Sequence, residues 1–361
     1  NGSDLHVSAG APPMARIFGD IRPLADTVLT AEDTAALLRE ILPEEIRADF
    51  EAGQEADFSH ALEGVGRFRV NAFLNHRGVA AVLRYVPERI PSFEQLGLPP
   101  AVPGLCSVSR GLVLVTGPTG SGKSTTLAAM IDEINRTRSE HVITIEDPIE
   151  FVHPNKRCLV NQREVGSHSK SFALALRAAL REDPDVIFVG EMRDLETTAA
   201  SMEAAETGHL VLGTMHTASA VGTIERIIDK FPPEMQAQVR TQLAASLQGI
   251  VAQTLLKRKD GAGRVPAVEI LVHTPAVAAQ IREGKTHQLG STLQTGGRLG
   301  MATLNDSLVR LVSRGIVDPL EAYNAALDRE SLLRGFQVAN VAFDPAAVKG
   351  GSPVLAGEKT K

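Results

Sequence analysis

"GLVLVTGPTGSGKST", residues 111–125, is the segment that most clearly indicates the fold class of this chain. A largely apolar run leads into a glycine-rich turn of the pattern G-x-x-x-x-G-K-S/T, and a helical pattern begins where the turn ends. Such a turn lets backbone N–H groups face a phosphate, and the helix N-terminus adds partial positive charge. The stretch therefore predicts binding of ATP or GTP, although the motif neither selects the base nor proves hydrolysis.

Two side chains of this motif have specific tasks. Lys123 is expected to reach the β- and γ-phosphates, and Ser124 to supply a hydroxyl to Mg²⁺. The predicted nucleotide-binding residues are Gly117, Pro118, Thr119, Gly120, Ser121, Gly122, Lys123, Ser124 and Thr125.

Downstream of the motif, short apolar strands alternate with helical patterns. The strands are "HVITIED", "DVIFVGE" and "HLVLGTM", and helices are predicted near 171–182, 194–207 and 218–230. This alternation predicts an α/β domain with a mostly parallel sheet covered on both faces. Residues 234–256 have the pattern of one long helix, and the chain is expected to be mostly helical from about residue 274.

The acids of "VIFVGEMRD", residues 186–194, depart from the usual arrangement. Nucleotide-hydrolysing proteins commonly place an aspartate directly after such a strand to help hold Mg²⁺. Here Gly190 occupies that place and Glu191 follows one residue later, while Glu146 ends the neighbouring run "ITIEDPIE". Because parallel strands end at the same edge of a sheet, we expect one acid to hold Mg²⁺ and the other to orient or deprotonate water. Asp147 and Glu150 are interpreted as caps or surface charges.

Two histidines bracket the strand of "GHLVLGTMHT", residues 208–217. His209 or His216 could sense the γ-phosphate through a hydrogen bond, or both could be ordinary structural residues. No third ligand is spaced to complete a zinc site.

The first ~97 residues have a different pattern. Residues 30–53 are amphipathic and helical, with Thr30 as the N-cap and a break at Pro43. A β-hairpin with the turn "NHRG" follows, and its first strand carries Arg67 and Arg69 on one face. The Pro- and Gly-rich stretch from residue 93 to 106 is interpreted as a linker, and the last residues, 346–361, as a disordered tail.

Composition narrows the class of protein. A net charge of -6 and a pI near 6.0 argue against a general nucleic-acid binder. Two distant cysteines, Cys106 and Cys158, fit neither a disulfide framework nor a CxxC metal site. The first residues lack the basic start and apolar middle of a signal peptide, and no apolar run approaches the ~20 residues that span a bilayer. Work at a membrane would therefore require a partner.

Taken together, the motifs resemble those of the secretion-superfamily ATPases. "GPTGSGKST", "ITIEDPIEF", "DPDVIFVGEMRD" and "GHLVLGTMHT" are similar to the Walker A, Asp box, Walker B and His box of that family. The flanking segments "SDLHVSAGAPP", "GRFRVNAF", "QVRTQLAASLQGIVAQTLL" and "QTGGRLGMATLNDSL" resemble the branch that retracts type IV pili. The resemblance covers roughly residues 2–335.

This resemblance implies roles for individual residues. Glu146 matches the general base, and Glu191 matches the Walker B acid that helps hold Mg²⁺. The family has glycine where Gly190 stands, and His209 and His216 match the His box. The arginines that serve a neighbouring subunit's nucleotide correspond to Arg67, Arg69 and Arg84.

The resemblance also implies an architecture and a function. It implies a PAS-like α+β domain at 1–97, a linker at 98–107 and a RecA-like ATPase domain with a helical C-terminal region at 108–345. The expected protein is a cytoplasmic homo-hexamer that uses ATP and Mg²⁺ for pilus retraction and associates peripherally with the inner membrane. Its expected partners are a platform protein and a second, paralogous retraction ATPase, with no nucleic acid.

Three alternatives stay open. "AQIREGK", residues 279–285, is only a partial match to the retraction branch, so an accessory, paralogous retraction ATPase is a second interpretation. A ring-shaped DNA translocase and a non-hydrolysing scaffold are the others. The segment that carries Arg282 and Lys285 has no place in phosphate chemistry; it either is a helix packed within its own domain or, as the resemblance implies, passes the domain motion to the pilus platform.

Overall fold

The computed structural model describes residues 2–17, 20–86 and 89–345. The predicted tail, residues 346–361, lies outside this range. Two compact units form: one from the residues up to Ile90 together with Pro148–Val152, and the other from Pro91–Asp147 and the residues from His153 onward. Within the described ranges, no helix combines the length and the apolar character that crossing a membrane requires.

The first unit is built on an antiparallel sheet of six strands in the order β3-β2-β1-β6-β5-β4. Its strands are β1 (Gly2–Ser8), β2 (Met14–Ile17), β3 (Asp20–Pro23), β4 (Ala56–Leu62), β5 (Gly66–Asn75) and β6 (Gly78–Val86). The predicted hairpin is confirmed, because β5 and β6 pair from Arg67 with Val86 to Asn75 with Gly78.

Two helices cover one face of this sheet, α1 (Ala31–Ile41) and α2 (Glu44–Glu51). Thr30 caps α1 in a capping box with Asp33, and the helices are separate at Pro43, as predicted. Leu38 and Phe50 from the helices pack with Phe58 and Val70 from the strands. Because side chains alternate along a strand, Arg67, Arg69 and Arg84 share the opposite face.

The segment interpreted as a linker contains regular structure. Two short helices, α3 (Phe93–Leu96) and α4 (Ala101–Leu105), occupy it. Ser92 caps α3 in a capping box with Gln95. Pro103 is accommodated because it lies in the first turn of α4, where a backbone N–H has no intrahelical acceptor.

The second unit has a sheet of seven strands in the order β13-β12-β7-β11-β10-β8-β9. Its strands are β7 (Gly111–Thr116), β8 (His141–Glu146), β9 (Leu159–Glu164), β10 (Val186–Val189), β11 (Leu210–Met215), β12 (Leu247–Lys257) and β13 (Arg264–Val272). All neighbouring pairs are parallel except β12 with β13. The predicted mixed α/β fold with a mostly parallel sheet is confirmed.

Helices connect and flank these strands. They are α5 (Lys123–Thr137), α6 (Phe172–Ala179), α7 (Leu195–Glu206), α8 (Ala220–Asp229), α9 (Pro233–Ser246), α10 (Pro275–Arg282), α11 (Leu289–Thr295), α12 (Leu304–Ser313), α13 (Pro319–Ala325) and α14 (Arg329–Val338). The helical region predicted from about residue 274 is confirmed. The apolar side chains Val277, Ile281 and Leu289 are fully buried in the core of this unit.

One element was predicted wrongly. The expected helix over 234–256 ends at Ser246, and residues 247–257 form β12 instead. This strand lies between β7 and β13, and seven of its eleven residues are buried, including all of residues 249–253, so both of its faces are covered there. A strand buried on both faces loses the polar–apolar alternation that distinguishes it from a helix.

Candidate functional site

The glycine-rich loop joins β7 to α5 and leaves no room for a side chain at Gly117. Gly117 has a φ of 145°, and a Cβ there would lie 2.2 Å from the carbonyl oxygen of Gln253 and 2.6 Å from Oγ of Ser121. The Lys123 ammonium folds over the loop and donates to the carbonyls of Gly117 at 2.9 Å and Pro118 at 3.1 Å. Ser124 follows in the first turn of α5, at the positive end of a helix of 15 residues.

Gln253 on β12 holds this loop from behind and was missed by the sequence reasoning. Its amide nitrogen donates to the carbonyl of Ser121 at 2.7 Å, and its amide oxygen accepts from the Thr126 hydroxyl at 2.9 Å. The side chain is buried, so both groups depend on it for their hydrogen bonds. One amide thus links the phosphate loop to the first turns of α5. In the sequence, Gln253 is a single amide residue within an apolar run. Because this run was predicted to be helical, the amide did not stand out.

A cavity of about 370 Å³ opens beside the loop, within the range of small-ligand sites. It extends from Gly122 and Thr125 to the segment Glu94–Gly97. Four arginines also line it: Arg258, Arg264, Arg310 and Arg314. Burial and the neighbouring Arg314 lower the pKa of Arg310. The cavity offers a nucleoside both space and hydrogen-bond donors next to the phosphate loop.

Glu146 is the last residue of β8, and its carboxylate is oriented so that it can accept a proton. Its carboxylate accepts from the Thr144 hydroxyl at 2.6 Å and from the Gln162 amide at 3.0 Å. Only 7% of the residue is exposed. A buried carboxylate oriented by two donors suits a general base that takes a proton from water.

Close packing of β8 against β10 explains why an acid is absent at position 190. A Cβ on Gly190 would lie 3.0 Å from the carbonyl oxygen of Ile145 and 3.3 Å from Cα of Glu146. Both atoms belong to backbone that cannot readily move. The acid therefore follows at Glu191, and the ends of the two strands bring Glu146 and Glu191 to the same edge of the sheet.

The carboxylate of Glu191 contacts two side chains, those of Arg193 and His216. Arg193 donates from Nε to its Oε1 at 2.8 Å, and Nε2 of His216 lies 3.0 Å from the same oxygen. His216 follows the last residue of β11, and the structure brings it to the acid, a contact that the sequence analysis did not anticipate.

His209 is at the other end of β11. Its Nδ1 lies 2.9 Å from the carbonyl oxygen of Ala204 near the C-terminus of α7. Leu210 pairs with Gly111 at the start of β7, whereas Met215 pairs with Thr116 directly before the phosphate loop. His209 is therefore at the edge of the sheet opposite the phosphate loop of its own chain, where it makes a structural contact.

The three arginines expected to act on a neighbouring nucleotide belong to the first unit. Arg69 forms a bidentate pair with Asp57 at 2.6 and 3.1 Å, and Arg84 pairs with Asp4 at 2.8 Å. Nε of Arg67 is buried and finds no hydrogen-bond acceptor among the described residues. Arg69 and Arg84 face each other across β5 and β6, so two arginine–aspartate pairs lie side by side on this face.

The donor set fits a magnesium ion that arrives with the nucleotide. No cluster of three or more His, Cys, Asp or Glu side chains suited to a metal exists in the parts of the chain that the structure describes. Mg²⁺ in phosphoryl-transfer sites takes only one or two protein ligands and fills its shell with phosphate oxygens and water. Here Ser124 and Glu191 would be those ligands.

The phosphate loop, the parallel sheet and the acids at the ends of adjacent strands define a P-loop nucleoside triphosphatase. More specifically, the chain belongs to the family described as "Type II/IV secretion system protein", whose profile matches residues 50–314.

Relatives of known name are similar over most of the chain. The type IV pilus retraction ATPase PilT of Pseudomonas aeruginosa is 55% identical, over 87% of this chain and 91% of its own. The twitching motility protein of Neisseria gonorrhoeae is 50% identical, over 89% and 86%. The type IV pilus ATPase PilU of Pseudomonas aeruginosa is 40% identical, over 92% and 88%.

Solved structures agree with these similarities. The pilus retraction motor PilT with bound ADP has a TM-score of 0.87 and 52% identity, covering 92% of this chain and 96% of its own. The Legionella pneumophila ATPase DotB has a TM-score of 0.78 and 29% identity, over 90% and 91%. The family resemblance and the assignment as an ATPase, both predicted from the sequence, are confirmed.

Proposed function

We propose that this chain is an ATPase motor that drives retraction of type IV pili. The observation that carries the proposal is its 55% identity to a retraction ATPase, joined to a complete phosphate loop with Glu146 and Glu191 at the same edge of the sheet. The PilU-like alternative is less well supported, because identity falls to 40%. A DNA translocase is disfavoured by the net charge of -6.

Each site residue has a defined task in hydrolysis. The loop amides and Lys123 bind the phosphates, and the cavity beside Thr125 receives the nucleoside. When bound, Mg²⁺ neutralises the charge that develops on the β- and γ-oxygens. Glu146 accepts a proton from the attacking water, and Glu191, which His216 orients, would be a ligand of the ion.

Assembly extends the proposal beyond one chain. We propose a homo-hexamer in which Arg67, Arg69 and Arg84 of the PAS-like domain, residues 1–97, act on a neighbour's nucleotide. The RecA-like domain, residues 108–345, follows the segment 98–107. The ring is cytoplasmic and reaches the inner membrane through a platform protein, with a paralogous retraction ATPase as a further partner. Pilus retraction in the name of the similar ATPase supports this placement.

The test combines turnover with motility. Purified protein should hydrolyse ATP without stimulation by DNA, and Lys123→Ala should largely abolish nucleotide binding, because it removes the ammonium that contacts ground-state phosphates. Expression in a Pseudomonas aeruginosa strain that lacks the 55%-identical relative should restore twitching motility, with Lys123→Ala as the negative control. ATP turnover without any restored motility, in a strain where the native protein does restore it, would refute the retraction role but not the ATPase assignment.

A further inference from the structure

The segment that carries Glu191 is fixed on both sides by hydrogen bonds to its backbone groups. The Thr214 hydroxyl donates to the carbonyl of Gly190, and the N–H of Met192 donates to the carbonyl of Thr214 at 3.0 Å. Asp194 then caps α7 by accepting from the N–H of Thr197 at 2.7 Å. The position of the acid is therefore set by groups that hold its neighbours, not only by contacts to its carboxylate.

Lys230, directly after α8, supplies a further anchor to this segment. Its ammonium donates to the carbonyl of Met192 at 2.5 Å and to the hydroxyl of Thr198 at 3.0 Å. Thr198 is completely buried and donates in turn to the carbonyl of Asp194 at 2.7 Å. The single ammonium thus ties the residue after Glu191 to the first turn of α7.

The other end of α8 lies at the base of the phosphate loop. The Thr223 hydroxyl is buried, and it lies 3.4 Å from the hydroxyl of Thr116, which directly precedes Gly117. It also lies 2.7 Å from the hydroxyl of Thr217, one residue after His216. Near its N-terminus, helix α8 therefore contacts the strand that leads into the phosphate loop. At its C-terminal end it contacts the segment that carries Glu191.

We propose that Lys230 is a positioning residue for Glu191, holding the segment so that the acid meets the magnesium ion of a bound nucleotide. The inference rests on the proposed ATPase function and deepens it. A hydrogen bond from a charged donor to a backbone carbonyl is among the stronger ones, and misplacement of a catalytic group by about 1 Å can cost up to ~10² in rate.

Burial makes the charged form of this ammonium costly, and its hydrogen bonds offset that cost. Burial and, next, Arg226 lower the pKa of Lys230 to about 8, while Asp194 and Glu191 act in the opposite direction. A cation this costly to bury is retained only where its hydrogen bonds are satisfied. The sequence carried no sign of this role, because Lys230 is 38 residues from Met192 along the chain.

The experiment compares Lys230→Met with Lys230→Arg and with a control, Lys285→Met. Methionine keeps the approximate length of the side chain but removes the donor. Lys285 is a lysine whose side chain is about half exposed and whose ammonium pairs with Glu283. Lys230→Met should lower kcat for ATP about tenfold and change KM less than about twofold, since the segment acts on the ion and not on ground-state binding. Lys230→Arg should recover most of kcat, and Lys285→Met should match the unsubstituted protein.

A second readout does not depend on turnover. Hydrogen–deuterium exchange of the peptide 190–198 should be faster in Lys230→Met and unchanged in Lys285→Met. If Lys230→Met does not fold, Thr198→Val removes one of the two acceptors and should give a smaller kcat loss with the same exchange signature. Unchanged kcat and exchange would overturn the proposal, as would equal losses of kcat, nucleotide affinity and thermal stability. If the unsubstituted protein shows no turnover, the proposed function fails, while exchange still tests Lys230.

Discussion

His153 makes the stability of the second unit sensitive to acid. The residue is 6% exposed, and its Nδ1 is buried without a hydrogen-bond partner among the described residues. Its backbone N–H donates at 2.8 Å to Oε1 of Gln162, whose amide nitrogen in turn donates to Glu146. A protonated ring here would bury a charge next to the network that orients Glu146.

The expected magnitude follows from the pKa. Burial lowers the pKa of His153 from 6.5 to about 4, with Asp132 acting in the opposite direction and Lys156 adding to the decrease. The unfolded chain therefore takes up this proton at higher pH than the folded chain does. The contribution to stability is fully present above pH ~6.5 and is lost as pH falls toward ~4. By pH 5 the loss in unfolding free energy amounts to about 2 kcal/mol.

The assay is urea unfolding followed by circular dichroism for the unsubstituted protein and His153→Gln, at pH 7.5 and pH 5. Glutamine does not titrate, so the variant should lose about 2 kcal/mol less between the two pH values. Titration of all other groups is common to both proteins and cancels in the comparison. An equal loss of unfolding free energy in the two proteins would show that His153 is not the group excluded from protonation.

Three further predictions concern ATP turnover and pilus retraction. Glu146→Gln should keep nucleotide affinity, measured with a fluorescent ADP analogue, and lower kcat by about a hundredfold; near-native turnover would remove Glu146 from the role of base. The Arg69→Ala protein should still elute as a ring in size-exclusion chromatography but lose up to ~10³ in specific activity. Arg22 also pairs with an aspartate in the same unit, and Arg22→Ala should keep its specific activity. Replacing Arg282 and Lys285 together by Ala should leave turnover intact and abolish retraction; a parallel loss of both would make the segment merely structural.

The stretch 111–125 could be predicted because each of its parts is determined locally. A buried strand, a loop that must approach a phosphate and a helix N-terminus each demand particular residues at adjacent positions, and the structure places β7 and α5 on either side of the loop. The same applies to Thr30 and Pro43, whose effects on helix ends act within a few residues.

The pairing of acids at the sheet edge needed one tertiary assumption, that successive strands are parallel neighbours. That assumption held for β8 and β10, which pair directly, and so Glu146 and Glu191 arrive together. It was less informative for His209 and His216, because it does not say which end of a strand faces the phosphate loop until the order and direction of the strands are known.

The residues that hold the site together could not be found in this way. Gln253 contacts Thr126 across 127 positions of the chain, and Lys230 reaches Met192 across 38. Neither residue belongs to a local motif, and β12 itself was taken for a helix because both of its faces are buried. Local sequence specifies the groups that touch the phosphates, because phosphate binding requires these groups at a fixed spacing within one short segment. The partners that position those groups depend on which strands and helices become neighbours, and a single amide or ammonium in the right place satisfies that need without leaving a pattern.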